Sequence, residues 1–250
     1  SPQCDPPRAP WDTTAGLTVI GNAMIAPLRN YRMRGVLWYQ GESNTEEAHR
    51  YAALLTHWIE DWRGRFGEDA ALLIVQLANF GPPPAHPTES GWAELREAQR
   101  RVAAKDENAG LAVTIDIGDR FDIHPVNKQQ VGYRLARAAR HVIYGDSITP
   151  SGPVPARAHK QDGAVLVDFT DIDGALVAYS NDHPIGFGLC ATAANSCRYA
   201  LAAIEGNSVR LIAPNANEAT RVRFCWADSP VCTLYDGASL PAGPFEIEIQ

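Results

Sequence analysis

Four consecutive residues, Asp122-Ile123-His124-Pro125, set a carboxylate beside an imidazole. A histidine can take a proton from a hydroxyl nucleophile at neutral pH, and a carboxylate on its other ring nitrogen holds the ring in place. A second segment, Trp38-Tyr39-Gln40-Gly41-Glu42-Ser43-Asn44, places a polar Gln-Gly-Glu cluster directly after an apolar run. A lone histidine is more often a cap or a core residue, so the case for a base depends on where the two segments sit.

The elements around them predict that position. Gly35 to Tyr39, Ala71 to Leu77 and Leu111 to Ile115 read as short apolar strands. The middle one is nearly continuous, as a strand buried on both faces of a parallel sheet should be. Residues Leu17 to Leu28 read as a helix ending near Pro27. Asn44 followed by Glu47 resembles a capping box, and Tyr51, Leu55, Trp58 and Trp62 form the stripe of the helix it opens. Two more stripes follow, at Trp92, Leu95, Gln99 and Val102, and at Val131, Leu135, Ala138 and Val142. Alternating strands and helices over residues 1–150 predict an α/β fold with a parallel sheet. Pro125 suits the first position of the last helix, which puts His124 at the helix head. Both polar segments then lie at the carboxyl edge of the sheet, where open α/β folds place their sites.

After Ser151-Gly152-Pro153 the segments become short, β-branched and turn-punctuated: Val165 to Phe169, Leu176 to Tyr179, Val209 to Ile212, Val222 to Trp226 and Phe245 to Ile249. Residues 151–250 are predicted to form an all-β domain of sandwich type. Cys190 and Cys197 are separated by six residues, as are Cys225 and Cys232. Local disulfides made in an oxidising compartment are the favoured reading, with buried free thiols as the alternative. Cys4 is left over, either free or bonded to a separate chain. No metal-ligand cluster or phosphate loop is written in the sequence.

The formal charge of −7 argues against nucleic acid as a partner. No apolar stretch approaches the length needed to span a membrane, and no signal peptide is visible. The opening Ser1-Pro2-Gln3-Cys4-Asp5-Pro6-Pro7 reads as an internal cut in a Pro-rich loop.

Residues 122–135, Asp-Ile-His-Pro-Val-Asn-Lys-Gln-Gln-Val-Gly-Tyr-Arg-Leu, together with the Trp38 to Asn44 segment, resemble the sialate O-acetylesterase branch of the SGNH hydrolases. Trp92-Ala93-Glu94-Leu95-Arg96, Ile204 to Val209 and Leu240 to Phe245 extend the resemblance to nearly the whole chain. It implies an extracytoplasmic enzyme, periplasmic, secreted or lysosomal, that removes acetyl groups from glycans by serine acyl transfer without a cofactor. His124 would be the base and Asp122 its orienting acid. The wider family pattern Asp-x-x-His falls on Phe121 here, so Asp119 is the alternative acid, and Asp116 reads as a strand-end structural residue. Gln40 and the backbone of Gly41 would bind the oxyanion, and Glu42 would orient its neighbours. Arg96 would brace Glu42 or meet substrate, or lie on the surface.

One part of the family's machinery is absent. Its serine belongs to a Gly-Gln-Ser-Asn type motif on the first strand, and this chain has none. The resemblance therefore implies a three-layer, flavodoxin-like SGNH domain missing its first strand, with the serine supplied by an N-terminal fragment of the same precursor. Two serines offer weaker substitutes. Ser43 fails the Gly-x-Ser-x-Gly pattern because residue 45 is Thr, and Gly145-Asp146-Ser147 follows a helix instead of a strand. The other readings are a glycan-binding protein without catalysis and a self-contained esterase using Ser43.

Overall fold

The computed structural model describes residues 18–250. Short helical turns, Gly21–Ile25 and Ala26–Leu28, lead into strand β1, Gly35–Trp38. A 3-10 turn at Glu42–Glu47 precedes helix α1, Ala48–Phe66. Strand β2 (Ala71–Val75), helix α2 (Gly91–Ala104), strand β3 (Ala109–Ala112) and helix α3 (Lys128–Val142) complete the α/β part. The strands form a parallel sheet in the order β1-β2-β3, with Val36 opposite Leu72 and Leu72 opposite Ala109.

Strand alternation decides which layer covers which face. Leu72 and Ile74 pack with Leu55, Ile59, Leu95 and Val102 of α1 and α2. Gly110 of β3 lies between Leu73 and Ala138 of α3, so the odd-numbered face of β2 meets that helix. Every residue of β2 is buried, as its unbroken apolar run requires. β1 is different. Among the described residues it pairs only with β2, and Leu37 at its centre is 63% exposed. The turns before it also expose Ile20, Met24, Leu28 and Tyr31.

Ten further strands follow: β4 (Val154–Gln161), β5 (Ala164–Thr170), β6 (Leu176–Ala178), β7 (Phe187–Cys190), β8 (Arg198–Tyr199), β9 (Leu201–Glu205), β10 (Ser208–Ile212), β11 (Arg221–Phe224), β12 (Leu234–Asp236) and β13 (Phe245–Glu248). They build two four-stranded antiparallel sheets, β4-β5-β10-β9 and β13-β11-β7-β8, and a small β12-β6 pair. Val165, Val167, Val209 and Leu211 of the first sheet share one apolar cluster with Phe187, Leu189, Val222, Phe224 and Phe245 of the second. The two cysteine pairs form disulfides, Cys190–Cys197 and Cys225–Cys232. Cys4 lies outside the described residues. Among those residues no helix is long and apolar enough to cross a membrane.

Three local expectations are corrected. The capping box does not form, because Asn44 lies inside the 3-10 turn and its side chain serves Gln40 instead. The third strand ends at Ala112, two residues before Thr114, whose hydroxyl donates to the Gln76 carbonyl in place of a ladder bond. α3 begins at Lys128, with Asn127 Oδ1 accepting from the Gln130 N–H at 3.3 Å, so Pro125 stays in the loop. The Asn127 side chain caps the helix instead and gives it the later start.

The contrast between buried and open sheet positions is measurable. Leu72→Ala should cost about 2–5 kcal/mol of unfolding free energy, whereas Leu37→Ala in this chain alone should stay within about 0.5 kcal/mol. Urea denaturation of both variants checks this, and equal losses would contradict the exposed edge.

Candidate active site

All three parallel strands end at one edge, and side chains take over there from the sheet ladder. Gln99 of α2 is fully buried, accepts from the Leu77 N–H at 3.0 Å, and donates to the Gln40 carbonyl at 3.1 Å and the Val75 carbonyl at 3.3 Å. It therefore ties the ends of β1 and β2 together. The Tyr51 hydroxyl of α1 lies 2.9 Å from the Gln40 carbonyl and 3.2 Å from its Oε1, and it receives the Trp38 indole N–H at 3.2 Å. Burial, more than the nearby Glu42 charge, raises the Tyr51 phenol above its usual pKa. That phenol therefore stays a neutral donor at working pH.

Gln40 is thus held by three residues. One of its amide N–H groups reaches Asn44 Oδ1 at 2.7 Å, which leaves the second N–H for another acceptor. Gly41 follows with φ +152°, and a Cβ there would come within 2.7 Å of Leu95 Cδ2, so a side chain is excluded on both counts. Glu42, half-buried, opens the 3-10 turn and accepts on its carbonyl from the Thr45 hydroxyl at 2.9 Å. Its charge helps raise the Tyr39 phenol, second to burial. Ser43 is exposed on the same turn.

The loop from Val113 to Asn127 carries Asp122 and His124. Its start is pinned by buried Arg134, which donates to the Val113 carbonyl at 2.7 Å and forks onto Asp116 at 2.5 and 2.8 Å. Asp116 is therefore a structural partner, as its strand-end position suggests. Asp119 Oδ1 accepts from the Phe121 N–H, and Asp122 Oδ1 from the His124 N–H, both at 2.8 Å. The Asp122 carboxylate also lies 3.5 Å from His124 Nδ1, with the two side chains 55% and 87% exposed. Pro125 is buried and holds the turn down. Lys128, at the start of α3, sits 4.8 Å above the Tyr39 ring, so the end of this loop lies beside the Tyr39-Gln40-Gly41 segment.

Arg96 departs from expectation. It is fully buried and touches neither Glu42 nor an open pocket. Its guanidinium donates to the Leu77, Ala78 and Ala227 carbonyls at 2.7 Å and to the Asp228 carbonyl at 2.8 Å. Burial pushes its pKa down to about 9 against the pull of Asp228, so it keeps its charge at neutral pH. Ser147 stands after α3, whose 15 residues carry the chain about 22 Å from the carboxyl edge. The pattern of residues alone did not mark Gln99, Tyr51 and Asn44 as parts of this edge. The available signal was an amide in an otherwise apolar helical stripe at Gln99.

The carboxyl edge of the sheet thus brings a histidine-bearing loop beside an amide-bearing loop. The same architecture occurs in a crystal structure of a carbohydrate acetylesterase from Xanthomonas citri, 36% identical, with a TM-score of 0.84 over 94% of this chain and 55% of that one. The sialate O-acetylesterases of Mus musculus and Homo sapiens are 30% and 29% identical over 93% and 94% of this chain. The chain spans about half the length of these curated relatives, 48% and 50%. A family model described as carbohydrate esterase, sialic acid-specific acetylesterase, matches residues 18–141. The chain belongs to this sialate O-acetylesterase-like family of carbohydrate esterases.

Tyr51→Phe should lower the unfolding free energy by about 1 kcal/mol, since it removes the donor to Gln40 and the acceptor for Trp38. Chemical denaturation reads the loss, and a neutral result would show that the hydroxyl does not hold Gln40.

Proposed function

We propose that this chain supplies the acid–base and oxyanion elements of a carbohydrate O-acetylesterase, and that the nucleophilic serine comes from an N-terminal piece of the same precursor. One observation carries the reading: the Asp122–His124 pair stands open at the carboxyl edge of a parallel sheet whose β1, among the described residues, has no partner on its outer side. An unpaired strand edge with exposed apolar side chains is a surface built to be covered. A strand added beside β1 would end at the same edge and bring its next residues toward His124.

His124 would accept the serine proton as the hydroxyl attacks the acetyl carbonyl. The oxyanion of the tetrahedral intermediate would take hydrogen bonds from the free Gln40 amide N–H and the Gly41 N–H. Protonated His124 would then donate to the departing sugar oxygen and release the deacetylated glycan. Water, deprotonated by the same imidazole, would attack the acetyl-serine and give acetate and free enzyme. Asp122 would hold the ring, its 3.5 Å contact shortening as the site is covered. No step calls for a cofactor. The glycan and the N-terminal piece are the partners this chemistry requires. The two disulfides suit an extracytoplasmic compartment.

His124→Ala in the complete enzyme should cut turnover of an activated acetyl ester by about a thousandfold or more. Near-normal turnover would remove the assignment. Full activity from this chain alone, abolished by Ser43→Ala, would transfer the nucleophile to Ser43. Gln40→Ala should lower kcat by about a hundredfold, the scale for one oxyanion donor, and an unchanged kcat would exclude its amide from that role.

A further inference from the structure

One loop of the antiparallel part of the molecule approaches the middle of the histidine loop by way of the segment after β2. Residues 225–232, closed by the Cys225–Cys232 disulfide, bring Ala227, Asp228 and buried Ser229 to the carboxyl edge of the parallel sheet. Arg96 grips the Ala227 and Asp228 carbonyls, and Ser90, the N-cap of α2, donates its hydroxyl to Asp228 Oδ1 at 2.5 Å. The Phe80 N–H donates to the Asp228 carbonyl at 3.2 Å.

Two bonds then lead from the β2 loop to the histidine loop. The Gly81 N–H donates to the Arg120 carbonyl at 3.0 Å. Asn79 Oδ1 accepts from the Gly118 N–H at 3.0 Å, while Asn79 Nδ2 donates to Ser229 Oγ at 3.4 Å. The fit at Gly118 is close, since a Cβ there would lie 2.5 Å from Asn79 Oδ1. One side chain thus joins the disulfide-closed loop to the loop that bears Asp122 and His124.

The histidine loop needs such an anchor. Phe121 and Val126 are 82% and 88% exposed, so they contribute little packing. The turns made by Asp119 and Asp122 set the loop's internal shape but not its place over the sheet. Arg134 holds its start at Val113 and Asp116, Pro125 and the Asn127 cap hold its rear, and the bonds at Gly118 and Arg120 hold the stretch that leads into Asp122.

We propose that Asn79 is a positioning residue for the Asp122–His124 loop and that the 225–232 loop acts on the site through it. This rests on the reading of His124 as the base. In the complete enzyme, Asn79→Ala should lower kcat about tenfold to a hundredfold, as a displacement of about 1 Å does, with KM changed less than about twofold. Asn79→Asp keeps the acceptor for Gly118 and should recover most of kcat. Hydrogen–deuterium exchange on the same variants should show residues 118–124 exchanging faster in Asn79→Ala and near the native rate in Asn79→Asp, with α1 and β2 unchanged.

Unchanged kcat and unchanged exchange in 118–124 for Asn79→Ala would overturn the proposal. So would faster exchange spread over the whole chain, which marks a general folding role, or equal impairment by the Asp variant. His124→Ala, assayed alongside, separates the two readings. Normal turnover in that variant defeats the base assignment, whereas the exchange result judges the Asn79 anchor independently of it.

Discussion

A buried guanidinium with backbone carbonyls as its hydrogen-bond partners is the constraint on which the rest of this molecule depends. Arg96 rises from α2 into the junction between the parallel sheet and the antiparallel sheets and donates to Leu77, Ala78, Ala227 and Asp228. Burying a cation is costly unless its hydrogen bonds are all met, and the planar fork of arginine meets several at once. Removing it would leave those carbonyls short of donors in a site closed to water. The loop after β2 and the loop at 225–232 are therefore fixed to one another by a residue that is itself fully buried.

From this junction the carboxyl edge is assembled by helix side chains. Backbone groups past a strand end have left the ladder and, when buried, need other partners. Gln99 supplies them to β1 and β2, Thr114 to Gln76, Tyr51 to Gln40, and Arg134 to Val113. The polar groups brought together at this edge are thus held from below by the helices that also bury the sheet. By contrast Asp122 and His124 have mainly local turns and stand exposed to solvent. The open side of β1 has the same character, with Leu37 presented to solvent on a strand whose β2 face is fully paired.

The antiparallel sheets add stability and reach. Their core is independent of the helices, built from valines, leucines and phenylalanines of two facing sheets. Their contact with α2 is ionic as well as packed. Arg223 of β11 forks onto Glu89 before α2 at 2.9 Å and meets Glu246 of β13 at 2.6 Å. The hydrogen bonds from Arg223 hold the Glu89 carboxyl below its ordinary pKa.

The sequence by itself determined the α/β alternation, the carboxyl-edge placement of Gln40 and His124 and the change to β structure after residue 150, and it favoured local disulfides while leaving buried free thiols open. Each follows from short-range pattern: apolar runs, helical stripes, turn residues and equal cysteine spacings. Strands β4, β7, β8, β9 and β12 escaped that pattern. β4 mixes alanine with Arg157, His159 and Lys160 along an edge, where one face needs no apolar residues. Only the tertiary structure decided that Arg96 is buried, that Asn44 serves Gln40 instead of capping a helix, and that Asn79 meets both Gly118 and Ser229, the latter 150 residues further along the chain than Asn79. A side chain's hydrogen-bond partner depends on which distant carbonyls lose their water when the layers close. That is a property of the packed chain, not of any window of residues within it.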